Sequence, residues 1–278
     1  MKLHSQFLEI YLHSQIFEMQ CNALHKVRQG SFIARAHLTN RADRFIILKK
    51  GREKMMESKK LSRALTAILS IFVVLLVITF SIGLPIYFRP FYYMQIDSLE
   101  VTEYTWHSKE EIIYSYNQLL DYLTLPNKEF SAGVFQWSEE GKSHFEDCKN
   151  LFSLNLTVFI FSLAAITTAY ILHKKQKIKF CRPCGYNLLF ICGITIIGVF
   201  VLLVGLCSID FEFAFTLFHK IFFPGKDNFY FDPYTDGIIL ILPLEFFRNC
   251  AILIASSIIL ISLAFIIYGI IEKRKTTK

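Results

Sequence analysis

Four stretches of this chain are apolar and free of charge over the length of a bilayer crossing, and a soluble core has no use for even one. They are 64–87 ("ALTAILSIFVVLLVITFSIGLPIY"), 151–172, 187–207 and 251–271, and none contains Lys, Arg, Asp or Glu. An α-helix needs about 20 residues to cross about 30 Å of hydrocarbon. Backbone polar groups in that medium must satisfy one another, which leaves helices and closed barrels. Barrel strands would be about half as long and would alternate in polarity. These runs do neither, so a mainly α membrane protein is expected, a four-helix transmembrane bundle. Charged residues are 19% of the chain, below the roughly 25% of soluble domains.

The basic residues suggest an orientation. The connection 173–186, "HKKQKIKFCRPCGY", has Lys174, Lys175, Lys177, Lys179 and Arg182 and no acid; the chain ends on "EKRKTTK", and Lys49 to Arg63 is equally basic. With these on the cytoplasmic side, both termini are cytoplasmic and segments 88–150 and 208–250 lie outside. The net charge of +7 is thereby a topology signal. Short juxtamembrane clusters offer no folded basic face, and no nucleic-acid partner is expected.

Residues 55–278 form the four-span domain in this reading. Residues 1–54 differ: they hold His4, His13, His25 and His37 and no long apolar run. "QFLEIYLHSQIFEMQ" has the pattern of an amphipathic helix on a membrane surface. The stretch after Met55 and Met56 reads like an ordinary start, so 1–54 is expected to be an extension outside the core fold, with a true start near those methionines.

The outer segments are expected to fold into a small mixed α/β cap. "FYYMQIDSLEVTEY" (91–104) has strand composition, and "EFSAGVFQWSEEG" resembles a hairpin. "SKEEIIYSYNQLLDYLTLP" places a Ser cap before Glu110 and Glu111, sets Ile112, Tyr116, Leu119, Leu120 and Leu123 on one stripe, and stops at Pro126. "SEEGKSHFEDCKNLF" reads as a helix running into the second crossing. In 208–250 a Phe-rich amphipathic stretch reaches His219, turns follow at Pro224-Gly225 and Asp232-Pro233, and "GIILILPLEFF" is too short to span and belongs to the interface or the cap.

The residues able to do chemistry are few. His107 lies in an outer segment and His173 among cytoplasmic lysines, whereas His144 and His219 share one side at similar depth. Histidine titrates near neutrality and can take and return a proton within one cycle. Asp147 is three residues from His144 on the same helix face, and Asp232 and Asp236 lie in the second outer segment. Three readings stay open: interfacial histidines bonded to loop backbone, a proton-transfer pair, or a metal site of two His and a carboxylate. The last lacks a spacing that would set two ligands on one helix face. Cys181-x-x-Cys184 has no second ligand pair, and no GxSxG elbow offers a nucleophile.

"HFEDCKNLF" ahead of one crossing and "FHKIFFPGKDNFYFDPYTDGIILILP" after the next resemble the two outer signatures of the bacterial lipoprotein intramolecular transacylase (Lit) family. The resemblance covers about Met55 to the C-terminus and departs at Cys148 and Tyr230. It implies a histidine dyad at His144 and His219, supported by Asp147, Asn117, Asp232 and Asp236, with no cofactor and no metal. It implies that the sn-2 acyl chain of a diacylglyceryl-modified lipoprotein moves to the α-amino group of that lipoprotein's own N-terminal cysteine. The partners are then lipid-anchored lipoproteins and membrane lipids, and the site faces the outer leaflet of a bacterial cell membrane. The competing expectation is a non-catalytic tetraspan acting as an assembly or signalling partner, in which both histidines are replaceable. Oligomeric state is left open.

Overall fold

The computed structural model describes residues 41–207 and 210–277. The amphipathic stretch 6–20 and the four histidines of the extension lie outside the described residues. The chain divides into two units, Met1–Ser58 and Lys59–Lys278. Eight α-helices occur among the described residues: α1 (Arg41–Tyr87), α2 (Pro90–Tyr93), α3 (Val101–Thr105), α4 (Lys109–Thr124), α5 (Glu139–Lys174), α6 (Leu188–Cys207), α7 (Phe211–Phe222) and α8 (Leu244–Thr277).

Two expectations need correction. Three helices, rather than four, are long and apolar enough to cross a membrane among the described residues: Ser58–Tyr87, Glu139–Lys174 and Leu244–Thr276. The 187–207 run forms α6, Leu188–Cys207, a helix of 20 residues of which Leu188–Val201 is the described apolar part. The cap is also not mixed α/β, for no strand occurs among the described residues.

The reason is local in both places where a strand was expected. After Pro90 opens α2, Gln95 N–H donates to the Tyr92 carbonyl and Leu99 N–H to that of Gln95. Glu100 (φ 52°) and Trp106 (φ 57°) then take left-handed backbone at either end of α3. The buried residues of the stretch are Tyr92, Ile96, Val101 and Thr105, a helical or turn spacing rather than alternation. In the expected hairpin, Gly133 sits at φ +65° against Ser115, where a Cβ would strike both backbone and side chain. Val134 N–H donates to Ser115 Oγ (3.1 Å) instead of to a partner strand.

Where helix was expected, the caps are as the sequence indicates. Ser108 accepts from Glu111 N while the Glu111 carboxylate accepts from Ser108 N, a reciprocal capping box. The stripe of α4 is buried in one apolar core with Tyr92, Ile96, Val101, Phe145, Ile238, Ile241 and Phe246. Gly237–Ile241 is a 3-10 turn whose Ile238 and Ile241 are buried, so this apolar segment belongs to the cap. Tyr92 stacks on Tyr116 at 3.9 Å and donates its hydroxyl to the Ile241 carbonyl (2.7 Å). Burial of these two rings pushes both phenols well above their ordinary pKa.

Small residues close the membrane part. α6 lies along α8 with Gly193 against the Ser262 carbonyl and Gly269 against Phe190, and Cys192, Ile196 and Ile258 join Val73 and Val77 of α1 in a second core. In hydrocarbon such close approach supplies the packing that water would otherwise drive. At the basic end, Glu272 accepts from Arg182 (2.7 Å) and from the Asn187 amide, and Cys181 N–H donates to Thr66 Oγ1 (2.8 Å). A Gly193→Leu substitution forces a Cβ to within 2.7 Å of the Ser262 carbonyl. It is expected to cost about 1–3 kcal/mol, read as a lowered Tm in detergent, whereas Leu at Gly198, whose Cβ would meet nothing within 4 Å, leaves Tm unchanged.

Candidate active site

The site is built on the first turns of α5, which belong to the cap before the helix enters its apolar run. Ser138 caps α5 by accepting from Gly141 N (2.9 Å), with Glu139 and Glu140 in the first turn, where the helix dipole favours negative charge. Asp236 then locks this terminus to the second outer segment. Its carboxylate accepts from Ser138 N (2.8 Å), from Ser138 Oγ (2.8 and 3.0 Å) and from Thr235 Oγ1 (3.2 Å). Gly141 faces the same carboxylate so closely that a Cβ there would collide with it. About two turns on from this cap, the helix presents His144.

The second histidine comes from α7, capped by Asp210, whose side chain accepts from Phe213 N. The amphipathic pattern of α7 turns His219 inward. His144 is 4% and His219 7% exposed, which sets both rings out of bulk water. Their centroids lie 5.5 Å apart with the planes 28° from parallel. Phe223 (5.1 Å) and Phe231 (5.5 Å) wall the His144 ring, while Phe215 (4.3 Å) and Phe229 (4.6 Å) flank His219.

Hydrogen bonds distinguish the two rings. His219 Nδ1 lies 2.8 Å from the Phe215 carbonyl, and a carbonyl only accepts, so Nδ1 carries the hydrogen. Neutral His219 therefore has its lone pair on Nε2. Burial holds its pKa below the ordinary histidine value, with the Phe215 carbonyl acting in the opposite direction. His144 has Cys148 Sγ at 3.4 Å from Nε2; burial first, and then His219, push its pKa down to about 4, against the pull of Asp147 and of a hydrogen bond with Asn228. Two imidazoles this close in a dry site resist charging together.

The other expected residues are not on the imidazoles. Asp147 is taken by Lys226, whose Nζ reaches both carboxylate oxygens (2.6 and 2.7 Å), with Asn228 Nδ2 at 3.5 Å. Asp232 is exposed and accepts from Tyr234 N to shape its own turn. Asp236 is the lock on α5. Asn117 accepts from Arg89 Nη1 (3.0 Å) and the Tyr93 hydroxyl (2.6 Å), beside the Arg89–Asp121 ion pair (2.5 Å). Sequence reasoning missed the aromatic walls, Lys226 and Ser138. Of these only Ser138 carried a readable signal, as a cap residue ahead of two glutamates. Among the described residues no group of three or more His, Cys, Asp or Glu is placed to hold a metal ion.

The family described as lipoprotein intramolecular transacylase Lit matches residues 67–247. The fold resembles the solved structure of the membrane-integral lipoprotein intramolecular transacylase Lit from Bacillus cereus: TM-score 0.70, 27% identity, covering 79% of this chain and all of that one. Two forms of the Bacillus cereus protein substituted at one histidine match similarly. The arginine form has TM-score 0.67 at 28% identity over 81% of this chain and 99% of its own, and the alanine form 0.65 at 26% over 80% and 99%. No curated protein matches in sequence.

Asp236→Ala strips the partner from Ser138 N at a half-buried helix start and is expected to cost about 1–3 kcal/mol. Thermal unfolding in detergent would register this, with Asp236→Asn, which keeps one accepting oxygen, falling between wild type and Ala.

Proposed function

The chain belongs to the lipoprotein intramolecular transacylase family, and from that premise we propose that His144 and His219 are the proton-transfer pair that moves an acyl chain within a single lipoprotein. The substrate is a diacylglyceryl-modified lipoprotein. Its sn-2 ester gives up the acyl group to the α-amino group of the N-terminal cysteine, leaving an N-acyl, lyso-form product.

The observation that carries the proposal is the pair of buried rings 5.5 Å apart, one with its tautomer fixed. An α-amine has a pKa of about 8 and must lose a proton as it attacks. His219 Nε2 has the free lone pair, so it takes that proton as the amine nitrogen bonds to the ester carbonyl carbon. When the carbon–oxygen bond to glycerol breaks, the departing oxygen needs one proton, which His144 delivers while it accepts the one that His219 has just taken. The proton of the amine thus reaches the glycerol oxygen by way of both rings, and each ends neutral, as it began. No covalent acyl-enzyme is needed, because amine and ester share one molecule; effective molarities of about 10⁵ M or more are reached when geometry is held. The aromatic walls contribute by excluding water, which would hydrolyse the ester instead.

The site belongs at the outer leaflet of a bacterial cell membrane. Lys174, Lys175, Lys177, Lys179 and Arg182 are exposed at the opposite end of α5 from His144, and Arg274 and Lys275 at the far end of α8, which supports a cytoplasmic position for those ends.

The test is mass spectrometry of a lipoprotein N-terminal peptide from a bacterium lacking its own lipoprotein N-acylation. Wild type is expected to yield N-acyl, S-monoacylglyceryl cysteine, and His219→Asn and His144→Asn to lose about 10²–10⁴-fold in rate. A peptide that stays diacylglyceryl with a free amine, although the wild-type protein reaches the membrane, overturns the reading. The pH profile follows from His219. A base must be neutral, and its depressed pKa keeps it so below the ordinary histidine value. Turnover by purified protein in liposomes, divided by the neutral fraction of the substrate amine (pKa about 8), should therefore hold as pH falls through about 6.5 and decline only at lower pH.

A further inference from the structure

Between α1 and α5 the protein surface opens into a groove of about 300 Å³, lined by Thr79, Gly83, Leu84 and Phe88 on one side and Asn155, Leu156 and Phe159 on the other. Its polar groups are few, and two of them are engaged within the protein. Asn155 Nδ2 donates to the Thr79 carbonyl (3.1 Å) and Thr79 Oγ1 to that of Leu75 (2.7 Å). What remains for a ligand is mostly apolar surface, and the groove lies within two membrane-crossing helices. Gly83 keeps it open, since a Cβ there would meet only Tyr87, at 3.5 Å.

The position of the groove relative to the dyad is informative. Asn155 follows His144 by about three turns of α5 and so lies on the same face, roughly 16 Å further into the membrane. At its upper end the groove wall runs through Phe88 into Arg89, whose guanidinium is held by Asn117 and Asp121 at the level of the cap. An ester whose carbonyl carbon reacts beside His144 must send its hydrocarbon tail toward the membrane interior, and this face of α5 leads there.

We propose that the α1–α5 groove is the subsite for the migrating acyl chain, and that its walls make the enzyme selective for long chains. The inference rests on the transacylase reading of the dyad. A short chain reaches the dyad without entering the groove, whereas a long one gains by burying its methylenes there. A larger side chain at Gly83 or Leu156 occupies the space that the chain would take. Both positions are remote from the reacting atoms.

The experiment compares two diacylglyceryl-cysteinyl peptides, palmitoyl or octanoyl at sn-2, with purified full-length wild type, Gly83→Leu and Leu156→Trp in liposomes. Thermal melts of each variant show that it is folded, and the two variants fill the groove from opposite helices, so one suffices if the other unfolds. The expected result is a KM for the palmitoyl substrate raised about tenfold, with kcat and the octanoyl kinetics within about twofold of wild type. Equal loss on both substrates, or no loss on either, overturns the subsite and leaves the dyad standing; such a groove would merely be coated by bystander lipid. Absence of turnover by wild type on both peptides overturns the transacylase reading and this inference with it.

Discussion

One unbroken helix carries both the membrane anchor and half of the site. α5 runs from its Ser138 cap to Lys174; its first turns belong to the cap, and its remainder has the length and composition of a membrane crossing. A helix can do this because all its backbone bonds are internal, so its surroundings can change from polar to apolar along its length without breaking it. The position of His144 relative to the membrane is consequently fixed by register, at 1.5 Å per residue, rather than by a loop that could drift.

Register alone sets depth, not direction. The rotation and lateral position of the α5 start come from Asp236, whose carboxylate collects three hydrogens from Ser138 and Thr235 next to a glycine with no room for a side chain. A carboxylate at 5% exposure would be costly without such partners. With them it ties the second outer segment, and through it α7, to the helix that bears His144. The apolar core around Tyr92 and Tyr116 performs the same service from beneath, joining α2, α4 and the turn at Ile241.

The two rings differ because their hydrogen-bond partners differ. His219 is held by a main-chain carbonyl, a partner that no side-chain substitution can remove and that permits only one tautomer. His144 touches a thiol, a weak partner, and has the Asn228 side chain beside it. In a site walled by four phenylalanines the proton inventory is small, and Asp147, engaged by Lys226, does not add a carboxylate to it. The proposed dyad is in this respect unlike a triad in which a carboxylate orients the imidazole. Here dryness and main-chain geometry take over that role.

Much of this was readable one residue at a time. Apolar length gave the membrane class, Ser108 and the α4 stripe gave a capped amphipathic helix, and the histidines stood out by residue type and distance from the apolar runs. The expected strand at 91–104 and the hairpin at 129–141 were misread because aromatic composition suits a strand only where a partner strand exists to pair with. Here a serine hydroxyl and left-handed residues satisfy the backbone instead. The expected crossing at 187–207 rested on apolar run length, and that run is one 20-residue helix, α6, with Leu188–Val201 its described apolar part. Sequence by itself determined where hydrocarbon ends and which side chains can move protons, since both depend on local composition. Tertiary structure alone decided that His144 meets His219 and that Asp236 locks a helix instead of orienting a ring. Those contacts join segments far apart in the chain, and only packing selects among the partners that each side chain could have had.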